Sequence, residues 1–218
     1  MTEPRAPGLA LLAGLALLAA GSTNAADPAA DAAALARLER SLAALASVRA
    51  EFVQDLLENG ATLGQHAVGT LYLKRPGRFR WDYSSPKQLI VCDGERLWLY
   101  DPELEQATVR RVSATLAQTP AMLLSGEARV ADGFVVEDAG RAGGLDWARL
   151  TPRHADTDFR ELKVGFAGDT LRRLEFTDKL NVVTRIELTR IERNARLDEA
   201  LFHFVAPPGV DVIGEPRH

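Results

Sequence analysis

The sequence predicts a mainly β protein: a meandering antiparallel sheet with one apolar face, covered by a few short helices. Three observations carry this. Phe79, Trp81 and Tyr83 alternate with Arg78, Arg80 and Asp82, which gives one strand an apolar side and a charged side. Turn signals follow one another too closely for a helix to fit between successive strands, and a parallel sheet needs such a crossover. Residues 31–45 form an amphipathic segment whose single apolar face must lie on something.

The chain of 218 residues is long enough for one domain with a sizeable core and short for two. Arg5 precedes an apolar run at 8–20, and small and polar residues follow it, Gly21, Ser22, Thr23, Asn24, Ala25 and Ala26. That pattern is a secretory signal, with cleavage expected after Ala25 or Ala26, so that 1–25 is removed and 26–218 forms a single domain. Thirteen residues of helix rise about 20 Å, too little for a hydrocarbon core of about 30 Å. No cysteine follows the signal where a lipid anchor would attach. The only one, Cys92, lies deep in the chain and permits no internal disulfide. The expected product is a freely moving exported protein.

In the amphipathic segment, Leu35, Leu38, Leu42 and Leu45 recur at helical steps, with Asp27-Pro28 or Asp31 as a start. From about residue 48 the period changes to 2. Strands are expected at 48–53, 63–74, 79–83, 89–91 and 97–100, with turns at Asn59-Gly60, Pro76-Gly77 and Asp93-Gly94. Residues 112–125 break the alternation and read as two short helical pieces, the second opening at Pro120 and closing at Gly126. Strands resume at 133–137, 145–151, 159–166, 171–177 and 182–191. A last strand is expected at 201–205, before Pro207-Pro208-Gly209 releases the chain.

Residues with the spacing that chemistry requires are missing. The four histidines stand apart from one another and from Cys92, so metal-ligand spacing is absent. Neither a nucleophile elbow nor a phosphate loop nor a dinucleotide fingerprint occurs. Cys92 ends an apolar strand and reads as a buried thiol. A net charge of −4 gives no basic surplus to neutralise phosphates, which argues against nucleic acid as a partner. The reading is of a binding protein: not an enzyme, with no cofactor and no metal.

An ordered series of motifs identifies the kind of binding. It comprises Phe52-x-Gln54, Lys74-Arg75-Pro76, Phe79-x-Trp81, Pro86, Cys92-Asp93-Gly94, Leu97-Trp98-x-Tyr100-x-Pro102 and Glu105-Gln106-Ala107. Thr119-Pro120-x-Met122-Leu123-Leu124 and Phe202-x-Phe204-x-x-Pro207-Pro208-Gly209-Val210 continue it. This series resembles the LolA family of periplasmic outer-membrane lipoprotein carriers. The resemblance implies an incomplete, half-open antiparallel β-barrel, covered by a lid of short α-helices that encloses a hydrophobic cavity. It implies acylated lipoproteins as cargo, taken from an inner-membrane ABC transporter complex and passed to an outer-membrane receptor lipoprotein, by a periplasmic monomer. Burying acyl chain gains about 0.8 kcal/mol per methylene.

By the same resemblance Arg75 is the lid latch, since its five guanidinium donors can hold several helix-end carbonyls at once. Trp81, Leu42, Leu45, Met122 and Leu123 are the expected acyl-chain cavity. Trp81 follows from strand alternation with the Phe-x-Trp match, the others from the helices expected to form the lid. A same-fold carrier or sensor for another amphiphile, such as a glycolipid, is the alternative reading. The receptor is disfavoured by the missing signal-adjacent cysteine.

Overall fold

The computed structural model describes residues 27–112, 129–154, 157 and 159–214. The first element, α1 (Pro28–Ala43), starts earlier than the leucine spacing suggests. Asp27 caps it by accepting from the backbone N–H of Ala29 at 3.0 Å and Ala30 at 3.4 Å, and Pro28 occupies the first turn. Asp31 serves elsewhere, as a side-chain acceptor for the backbone of Asp138 at 2.8 Å. Ala34, Leu38 and Leu42 are buried on the sheet side of the helix. A fully buried leucine such as Leu38 contributes roughly 1.5–3 kcal/mol. Two further polar contacts fix the helix along its length: Ser41 donates to the carbonyl of Asp169 at 2.7 Å, and Arg37 pairs with Asp146 at 3.5 Å.

Twelve strands follow: β1 (Ser47–Glu58), β2 (Ala61–Lys74), β3 (Arg78–Ser85), β4 (Lys87–Asp93), β5 (Arg96–Asp101), β6 (Gln106–Arg111), β7 (Phe134–Ala142), β8 (Leu145–Pro152), β9 (Phe159–Ala167), β10 (Thr170–Asp178), β11 (Val183–Arg193) and β12 (Asp211–Gly214). They form one sheet in the order β12-β6-β5-β4-β3-β2-β1-β11-β10-β9-β8-β7. Two meanders, β1 to β6 and β7 to β11, are thus joined along β1 and β11. The sheet curves without closing, since β7 and β12 stand at opposite edges. The chain leaves after β6, beside one edge, and re-enters at β7, the other. This is the half-open barrel that the sequence led us to expect.

Alternation along each strand sorts the side chains. Phe52, Leu71, Leu73, Phe79, Trp81, Cys92, Leu150, Leu162, Val164, Leu174, Ile186 and Leu188 form the inner core with α1. A second apolar cluster, Val91, Trp98, Ala107 and Val109, faces the outside of the same sheet.

The end of the chain covers that outer cluster, and here the expected strand at 201–205 is corrected. Asp198 caps a 3-10 turn, Glu199–Phe202, by accepting from the Ala200 N–H at 3.0 Å. Phe202 is buried, and Phe204 packs against Trp98 and Tyr100 with ring centroids 5.3 Å from each. The alternating burial of Phe202 and Phe204 imitates a strand but arises from a strap lying across the outside. Glu199 pins the strap to Lys74 and Arg78, and Arg80 donates to the carbonyl of Leu201 at 3.3 Å. Pro207-Pro208-Gly209 does not release the chain either: β12 follows and pairs with β6 in parallel. None of the described helices is long and apolar enough to cross a membrane.

Candidate functional site

The inner face of the sheet and the underside of α1 enclose the site. Trp81, Leu42 and Leu45 come together there in one buried cluster. Met122 and Leu123 lie outside the described residues, as does the rest of the expected helical insertion beyond Val112. Next to the end of α1 a small apolar pocket opens, a cavity of about 30 Å³, walled chiefly by Leu45, Val48, Leu71, Leu73, Leu171, Leu188 and Ile191, with Asp169, Thr170 and Arg193 at its margin. Leu45 lines this space directly, while Trp81 and Leu42 belong to the packed wall beside it. Among the described residues no group of three His, Cys, Asp or Glu side chains is placed to hold a metal ion.

Aromatic rings form the floor at the other end. Phe52 meets Trp81 and Tyr83 edge-on, each at a centroid distance of 4.9 Å. The Phe52 ring can lie this low because Gly69 beneath it has no side chain. The Tyr83 hydroxyl donates to Oε1 of Gln54 at 3.0 Å. Phe52, Gln54, Leu71 and Leu73 were not singled out as site residues in the sequence. Strand alternation marks their side of the sheet, but only the β1–β2–β3 register brings them beside Trp81.

Burial pushes the Tyr83 phenol up to about 12. An unfolded tyrosine ionises near 10, so the folded chain holds the proton more tightly. The stability this contributes is complete below about pH 10 and is lost as the pH rises toward about 12, by about 1.4 kcal/mol per pH unit for one group. Denaturant titrations on either side of about pH 10 should therefore show a steeper alkaline loss in the parent chain than in Tyr83→Phe. Equal losses would mean that the phenol is hydrated.

Arg75 occupies the turn between β2 and β3, and its backbone N–H donates to the carbonyl of Ala46 at 2.9 Å. Its guanidinium is half-buried, and desolvation holds its pKa below the usual arginine value. The outward-facing neighbours Lys74 and Arg78 are both tied to Glu199, so the turn that presents Arg75 is braced from outside.

A family model described as outer membrane lipoprotein carrier protein LolA matches residues 43–205. The chain belongs to the LolA family. An outer-membrane lipoprotein carrier protein of Dechloromonas aromatica is 40% identical over 170 residues, spanning 78% of this chain and 82% of the relative. Another, from Ralstonia nicotianae, is 35% identical over 209 residues, 93% of this chain and 95% of the relative. A crystal structure of an uncharacterized conserved protein from Thermus thermophilus superposes with a TM-score of 0.52 at 14% identity, covering 84% of this chain and 97% of that one, a likeness of fold alone. LolA carriers are periplasmic transporters of lipoproteins and not enzymes, and this chain is a lipoprotein carrier of that kind.

Proposed function

We propose that the acyl chains of the cargo lie on the inner face of the sheet, against Trp81, Leu42 and Leu45, with Met122 and Leu123 completing the cover. The observation that most directly supports this is the apolar pocket at Leu45, continuous with the cluster that contains the other two described residues. Water has no polar partner along such a wall, and hydrocarbon replaces it with a gain proportional to the area covered.

Arg75 acts as the latch that holds the empty carrier shut. Residues 1–25 direct export and are removed, and residues 26–218 work as a single periplasmic domain. The carrier functions as a monomer, receiving lipoproteins from an inner-membrane ABC transporter complex and releasing them to an outer-membrane receptor lipoprotein.

The test is native mass spectrometry of the protein taken from the periplasm after hand-off at the outer membrane is blocked. The parent chain should carry acylated lipoproteins, and Leu45→Glu, at the edge of the pocket, should come out empty although folded. A Leu45→Glu protein as fully loaded as the parent would remove the inner face as the binding site. Free glycolipid in place of lipoprotein would reassign the cargo.

A further inference from the structure

The inner wall is apolar beside the pocket and carries a polar pair farther along. Inward positions on β1 run Val48, Ala50 and Phe52, then Gln54; those on β3 run Phe79 and Trp81, then Tyr83. On both strands a polar residue follows the apolar run at the same level, and the two meet through the Tyr83–Gln54 hydrogen bond; beyond the register shift after Asp55, Leu57 on β1 is buried again. The apolar pocket, at Leu45 and Val48, lies at the opposite end. Along β1, Val48 and Gln54 are separated by about 20 Å at the ~3.3 Å rise per strand residue, a span suited to a long acyl chain laid along the wall.

A wall that meets only hydrocarbon gains nothing from a carboxamide, which costs free energy in apolar surroundings unless it is hydrogen-bonded. Gln54 accepts the Tyr83 hydroxyl proton on its carbonyl oxygen. Its two N–H donors are then left for other acceptors. An acyl chain supplies such an acceptor at one point only, the carbonyl at its head.

We infer that Gln54 is a recognition subsite for the ester carbonyl oxygen at the head of a cargo acyl chain. Tyr83 is its positioning residue, and the chain runs from there toward the pocket at Leu45. This rests on the proposal that cargo chains lie on the inner face, and it adds an orientation: carbonyl at Gln54, chain end beside α1.

The test compares two lipopeptides of equal chain length, one diacyl with ester links and one dialkyl with ether links, titrated into the full chain. The parent should favour the ester probe by about two- to ten-fold, the worth of one neutral hydrogen bond. Gln54→Leu should bring the ratio to about one, and Tyr83→Phe should reduce it. A ratio of one in the parent, or an unchanged ratio in Gln54→Leu, overturns the inference. Undiminished binding of both probes by Leu45→Glu would instead overturn the inner-face reading, whatever the ratio.

Discussion

Replacing Arg75 with leucine should leave loading intact and reduce delivery by about ten- to a hundred-fold. A hydrogen bond to a charged group contributes about 1.5–3 kcal/mol, and losing one moves the balance between shut and open forms by that factor. The shut form competes with bound cargo, so a carrier that cannot shut keeps what it has loaded. Alternation along β2 turns Leu71 and Leu73 inward and Lys74 outward, which brings the next position back to the inner side. The half-burial of the guanidinium fits a group directed toward the protein and not toward water. Lysine at this position should restore delivery only in part, because an ammonium lacks the planar fork. The measurement is transfer of a labelled lipoprotein to receptor-bearing membranes, with loading scored separately. Parental delivery by Arg75→Leu would exclude the latch.

The largest effect on stability should come from a single methyl group. A Cβ at Gly69 would stand 2.2 Å from the carbonyl oxygen of Asp82 and 2.7 Å from Cζ of Phe52. The ring has nowhere to go, since Trp81 and Tyr83 flank it, and the carbonyl belongs to the neighbouring strand. Overpacking generally costs about 1–3 kcal/mol. A clash with backbone belongs at the upper end, so Gly69→Ala should lose about 3 kcal/mol and melt roughly 6–12 °C lower. Gly133→Ala, where nothing lies within 4 Å, is the control. A thermal melt of Gly69→Ala matching that control would show that the strands slide apart at little cost.

Most of the sheet was legible because its strands face a core on one side and water on the other. Phe79, Trp81 and Tyr83 announce their strand and their face together. β6 is not legible because it offers only two outward apolar positions, Ala107 and Val109, and Phe204, which helps to cover them, lies far away in the sequence. The helix was legible from its leucines, and of the two starts the sequence offers, Asp27-Pro28 and Asp31, the capping carboxylate of Asp27 selects the first. That Trp81, Leu42 and Leu45 share the inner cluster could be read from periodicity. The Tyr83–Gln54 pair could not, because its members are 29 residues apart and meet only when β1, β2 and β3 are in register.

The unjoined edges at β7 and β12 have a mechanical consequence. In a closed barrel, strand number and stagger fix the circumference, and the interior cannot widen without breaking a ladder. Here the wall has a seam. Each strand can keep its hydrogen bonds to its neighbours while the two margins move apart or together, so the change in width is spread as a small twist over eleven strand pairings. The side chains of Asp31, Arg37 and Ser41 tie α1 to the β7–β10 half, so the body of the helix travels with that margin while its end stays joined to Asn194. Such a container can change its bore without breaking a ladder.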